Sequence, residues 1–145
     1  SLIPNANCIV RSALVHTVVG GVVKSLYIPN DENFDELVAD CKVALDRGEC
    51  LIIFPEGTRS PDGTPKEAKS GVGYIARRTG VDIIPTAIYM EDKDRKGSKV
   101  IVKFGEAFKY KDMGFTDNGK TSENKAVARK TMDMIKTLWE ECKCR

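Results

Sequence analysis

Histidine is nearly absent from this chain: His16 is the single one among 145 residues. A centre that needs two histidines, such as a helical His-Glu-x-x-His zinc site, is therefore excluded. An excess of one charge is missing too. Lys and Arg number 23 against 21 Asp and Glu, a formal net charge of +2, so no global field draws the protein to nucleic acid. Any anion site has to be local. Long apolar runs are also lacking. A spanning helix needs roughly 18 or more apolar residues in succession, and the nearest approach, Ala13 to Val23, is interrupted by His16, Thr17 and the Gly20-Gly21 pair. No basic stretch precedes an apolar one near the start, so the opening does not read as a signal peptide. It begins Ser1-Leu2-Ile3-Pro4-Asn5, without Met, which sets the expectation of a fragment that opens in mid-element.

The cysteines (Cys8, Cys41, Cys50, Cys142 and Cys144) are odd in number and irregular in spacing. Cys142-Lys143-Cys144 has neither a second pair nor a nearby His to complete a zinc knuckle. Idle thiols in a reducing compartment fit better than a disulfide framework.

What is present describes one globular domain. The hydrophobic fraction is 41% and the charged fraction 30%, ordinary values for a packed chain. Cys8-Ile9-Val10 and Leu26-Tyr27-Ile28 are short strands, with a helical turn expected between Ser12 and Gly20. From Asn33 to Gly48 the residues Phe34, Leu37, Val38, Cys41, Ala44 and Leu45 recur at helical spacing, and Gly48 is placed to end the helix. Leu51-Ile52-Ile53-Phe54 is a continuous apolar run, the mark of a strand buried on both faces. A polar stretch then leads to a helix from Gly71 to Thr79, with Arg77-Arg78 at its cation-favouring end. Strands are expected over Val81–Tyr89, broken at Pro85, and over Val100–Phe104, with a charged loop between them. The last helix starts near Thr121 and turns Val127, Thr131, Met134, Ile135, Leu138 and Cys142 to one side. Strands alternating with helices predict an α/β fold with a largely parallel central sheet flanked by helices.

The chemistry lies in Phe54-Pro55-Glu56-Gly57-Thr58-Arg59. Ligand loops of open parallel sheets sit at the carboxyl ends of strands, where this stretch falls. Pro55 cannot donate to a ladder, so the strand stops there. Gly57 lets backbone N–H groups approach a ligand, Thr58 offers a hydroxyl, and Arg59 offers a permanently charged fork suited to phosphate. Glu56 can orient a ligand hydroxyl. The same residues also suit a plain turn closed by a surface ion pair between Glu56 and Arg59. Lys66 and Lys69 lead into Ser70-Gly71 at a helix start, itself favourable for anions. Asp62-Gly63-Thr64 echoes part of a haloacid-dehalogenase nucleophile motif without its leading Asp, and Pro61-Asp62-Gly63 is sufficient as a turn. No Gly-x-x-x-x-Gly-Lys phosphate loop occurs.

In that order the blocks resemble the glycerolipid acyltransferase superfamily, the 1-acylglycerol-3-phosphate or lysophospholipid acyltransferases. Phe54 to Arg59 is similar to its third block, and Lys69-Ser70-Gly71 to the Lys-x-Gly that follows it. Ile83-Ile84-Pro85-Thr86-Ala87-Ile88 is similar to the proline-bearing strand of the fourth. Gly21 to Asn30 resembles the second, with Asn30 standing where the family has a phosphate-binding Arg. The resemblance runs from about Cys8 to Tyr89. The first block, His-x-x-x-x-Asp, has no match, because five positions beyond His16 stands Gly21 and no carboxylate occurs before Asp31. His16 reads as a bystander, and the family's general base is expected upstream of Ser1.

The resemblance implies a glycerol-3-phosphate acyltransferase-like fold over residues 1–145, lacking its N-terminal unit. It implies transfer of a fatty acyl group from acyl-CoA or acyl-carrier protein to the free hydroxyl of a lysophospholipid or glycerol phosphate. Neither metal nor redox cofactor is called for. It implies Glu56, Gly57, Thr58, Arg59, Lys69 and Asn30 as substrate-binding residues, and work at the cytoplasmic face of a membrane, without nucleic acid. Without the His-Asp pair this chain is expected to be inactive by itself. The alternative is a non-catalytic phospholigand-binding or scaffold domain, which Asn30 and the missing block both suit.

Overall fold

The computed structural model describes residues 6–10, 23–27, 34–58, 60, 62–92 and 97–144. Along these the chain forms β1 (Ala6–Val10), β2 (Val23–Tyr27), α1 (Phe34–Asp46), β3 (Cys50–Ile53), α2 (Gly71–Thr79), β4 (Thr86–Met90), β5 (Val100–Phe104), a 3-10 turn at Tyr110–Asp112 and α3 (Thr121–Lys143). The helical turn expected after Ser12, with His16, lies outside the described residues, as do Asn30 and Arg59.

β1 runs between β2 and β3 and is parallel to both, with Ala6 opposite Val23 on one side and Cys50 on the other. β4 and β5 form a separate, antiparallel ladder in which Thr86 faces Phe104 and Met90 faces Val100. The three-stranded sheet is parallel throughout, and the β4–β5 pair departs from the expected parallel arrangement. The cause is the connection: β4 and β5 are joined directly through residues 91–99, whereas a parallel pair needs a crossover of about a dozen residues or more. The strand expected over Val81–Tyr89 is also shorter than anticipated. Pro85 brings no N–H, so β4 starts only at Thr86, while Ile83 makes an isolated bridge to Phe108. The Pro85 carbonyl is still used, accepting the Gly105 N–H at 2.8 Å.

α2 is the hinge of the packing. Ile75 joins Leu37 and Cys41 of α1, against which Leu51 and Ile53 of β3 pack. Its neighbour Ala76 joins Phe108, Met113 and Val127 on the other flank. Adjacent residues of a helix diverge by about 100°, so nine residues serve two clusters. Burial raises the Cys41 thiol to about 11, with Asp40 adding to the effect. It is an inert core residue. Cys41, Cys50, Cys142 and Cys144 are free thiols.

α3 lies along the antiparallel ladder. Trp139 meets Tyr89 edge to face at 5.6 Å, and Lys103 pairs with Glu141. Of the expected stripe on α3, Val127, Thr131 and Cys142 are buried and Met134, Ile135 and Leu138 are half-buried, while Asn124, Ala128 and Met132 join the buried side. Among the described residues no helix is long and apolar enough to cross a membrane.

Candidate functional site

β3 ends at Ile53, and the chain turns at once: the Gly57 N–H donates to the Phe54 carbonyl at 3.1 Å. Gly57 has φ 64, a left-handed conformation that a side chain resists. The loop then travels outward and comes back. On its return the Lys66 N–H donates to Glu56 Oε2 at 2.9 Å, and the Lys69 N–H donates to the Pro55 carbonyl at 2.8 Å. Two pins thus close residues 55–69 at the neck, and the chain enters α2 directly from the second. The far end is shaped separately by Asp62, which accepts from the Ser60 hydroxyl at 2.5 Å and the Thr64 N–H at 3.1 Å. Those hydrogen bonds, the Ser60 hydroxyl first, hold the Asp62 carboxyl well below the usual carboxylate range. The dehalogenase-like Asp62-Gly63-Thr64 is a turn.

Lys69 crosses the neck. A Cβ placed on Gly57 would lie 3.1 Å from Lys69 Cδ and 3.4 Å from Nζ, so the lysine occupies the space a side chain at position 57 would take. Gly57 therefore meets two demands, backbone conformation and the passage of Lys69. No ion-pair partner of the Lys69 ammonium occurs among the described residues, where Lys136, Lys103 and Lys109 each have a carboxylate. The adjoining end of α2 suits an anion as well: its first turn has no acidic residue, and Ser70 makes no side-chain cap. Thr58 is exposed beside the turn. Of the six residues expected to bind substrate, the structure brings Glu56, Gly57, Thr58 and Lys69 into one closed loop at the carboxyl end of β3. Asn30 and Arg59 lie outside the described residues.

The mooring of α2, and so of Lys69, rests on residues whose part was not seen in sequence. Tyr74 donates to Asp35 at 3.3 Å, and Arg78 pairs with the same carboxylate at 3.1 Å, tying α2 to the start of α1. Arg77 was read only as a cation at a helix end. It reaches the Thr116 and Lys120 carbonyls at 3.2 and 3.3 Å, pairs with Glu123, and lies 4.9 Å from the Phe115 ring centroid. The Thr116 hydroxyl and N–H, together with Arg77, hold the Glu123 carboxyl below its ordinary range. The contacts of Tyr74, Arg77 and Arg78 with other elements have no signal in local sequence, because those partners stand about forty residues apart.

A parallel strand delivering a closed glycine-bearing loop, a lysine across it and an uncapped helix start define an α/β domain that gathers anion-favouring groups at one strand end. Its kinship is specific. A family model described as Acyltransferase matches residues 14–89, just over half of the chain, and the chain belongs to that family. The match ends where the resemblance ended, at Tyr89. The chain is 36% identical over 67 residues to the chloroplast 1-acyl-sn-glycerol-3-phosphate acyltransferase BAT2 of Brassica napus, covering 46% of this chain and 20% of that protein. It is 40% identical over 48 residues to the chloroplast 1-acyl-sn-glycerol-3-phosphate acyltransferase LPAT1 of Arabidopsis thaliana, covering 33% of this chain and 14% of the relative. The chain thus spans a fifth or less of those plant enzymes. The crystal structure of the 1-acyl-sn-glycerophosphate acyltransferase PlsC from Thermotoga maritima superposes on the whole of this chain and 68% of its own, with a TM-score of 0.61 and 22% identity. That likeness establishes the α/β acyltransferase fold.

Proposed function

We propose that this chain supplies the acceptor-binding part of an acyltransferase that esterifies the free hydroxyl of 1-acylglycerol 3-phosphate or a related lysophospholipid. The observation that carries the reading is the neck of the 55–69 loop, where Lys69 lies across Gly57 at the start of α2. Arg59 and Lys69 provide positive charge for the acceptor phosphate, Gly57 its close approach and Thr58 a hydroxyl. Asn30 adds a hydrogen-bond donor without charge, which leaves the electrostatic work to the loop. In the reaction the acceptor oxygen attacks the thioester carbonyl of acyl-CoA or acyl-carrier protein. The new C–O bond forms, the C–S bond breaks, and the hydroxyl proton leaves with the thiol. The general base is a His-x-x-x-x-Asp pair that this sequence does not contain. The work is placed at the cytoplasmic face of a membrane, where such an acceptor resides.

Titration calorimetry with lysophosphatidic acid tests the site. Arg59→Ala and Lys69→Ala are each expected to weaken binding by about 1–3 kcal/mol, the worth of a charge-assisted hydrogen bond. Unchanged affinity in both removes the loop from the site. Acyl transfer by this chain is expected at background, and by a protein that continues upstream through a His-x-x-x-x-Asp well above it. Equal rates overturn the account of the base. A natural upstream sequence lacking that pair gives preference to the scaffold reading.

A further inference from the structure

The family resemblance gives Glu56 the task of meeting acceptor hydroxyls, but the structure gives its carboxylate other work. Glu56 Oε2 accepts the Lys66 N–H at 2.9 Å, ten residues along the chain. The backbone pin one residue earlier, from the Lys69 N–H to the Pro55 carbonyl at 2.8 Å, holds the other end of the same return segment. Residues 66–69 are therefore fastened at both ends to residues 55 and 56. Lys69, at the second fastening, lies over Gly57. A lysine has four rotatable bonds, and its aim depends on where its backbone is held.

We propose that Glu56 is a positioning residue: by holding the Lys66 N–H it fixes the return segment so that Lys69 reaches across Gly57 toward the ligand phosphate. This rests on the phosphate-binding reading of the loop and deepens it. The role requires an acceptor of the right length and no negative charge as such. Gln keeps the acceptor oxygen at the same reach, Asp withdraws it by one methylene, and Ala removes it.

Two measurements on the whole chain test the proposal. Amide exchange at Lys66, followed by NMR without ligand, is expected to accelerate about tenfold in Glu56→Ala and to stay near the parent rate in Glu56→Gln, the scale of one lost hydrogen bond. Binding is then compared for inorganic phosphate, which has no carbon-borne hydroxyl, and glycerol 3-phosphate, which has two. Glu56→Ala is expected to weaken both by the same factor, about five- to tenfold, with Glu56→Gln recovering most of the loss. Unchanged Lys66 exchange in Glu56→Ala overturns the clamp. A loss confined to glycerol 3-phosphate also overturns it, and returns Glu56 to direct hydroxyl contact. If the parent chain binds neither probe, the phosphate-site reading fails, and with it the aim of Lys69. The exchange experiment still decides the clamp separately.

Discussion

Gly57 shows how much a single residue is asked to do here. Its φ of 64 costs an L-residue roughly 1–2 kcal/mol, and Lys69 Cδ would sit 3.1 Å from an added methyl. Gly63, in the same loop, has φ 75 but open space around it. The pair separates conformation from function. Gly57→Ala and Gly63→Ala are each expected to lose about 1–2 kcal/mol in urea unfolding, yet only Gly57→Ala should lower phosphate affinity, because only there is Lys69 pushed aside. Equal phosphate affinities in the two variants refute this. The need for glycine at position 57 was legible in sequence, since a strand end followed by Pro55-Glu56-Gly57 announces a turn. The partner of Glu56 was not. Nothing in a linear pattern distinguishes a carboxylate that meets Arg59, a ligand or the N–H of Lys66, and the choice is made by how the loop returns.

Among the elements, α2 and α3 carry the least slack. Gly73 is buried on α2, and a Cβ there would fall 2.9 Å from both the carbonyl carbon and the Cα of Asn124 on α3. Backbone cannot step aside as a side-chain tip can. Helix propensity alone favours Gly73→Ala by about 1 kcal/mol. The collision dominates, so the substitution is expected to destabilise the fold by at least about 2 kcal/mol in denaturant titration. A stabilised Gly73→Ala protein refutes the close approach. Sequence periodicity placed α1, α2 and α3 well because each carries an apolar stripe, and α1 and α2 also have a glycine stop, as at Gly80, whose φ of 73 ends α2 with its N–H on the Ala76 carbonyl. Periodicity was silent on strand direction. Val100–Phe104 alternates identically in parallel and antiparallel company, so only the directness of residues 91–99 decides the pairing.

At the scale of the molecule, alternation puts the two sides of the β4–β5 ladder in different surroundings. Ala87, Tyr89, Ile101 and Lys103 turn to the side where α3 lies, whereas Ile88, Met90, Val100, Val102 and Phe104 remain between 44% and 51% exposed. Cross-strand pairing sets Ile88 beside Val102 and Met90 beside Val100, so these side chains form one apolar patch rather than scattered exceptions. Contiguous apolar surface of this kind drives association of a protein in water. The chain alone is therefore expected to self-associate with rising concentration in sedimentation velocity. Replacing the central pair as Ile88→Thr with Val102→Thr keeps β-branched side chains suited to strands while adding hydroxyls that water can reach. Because both positions are half exposed, each change should alter the unfolding free energy by no more than about 0.5 kcal/mol. The double variant should nonetheless shift the sedimentation profile toward monomer. An unaltered profile at equal stability means that another surface is responsible for association, and a large loss of stability means that this face is covered within the folded chain.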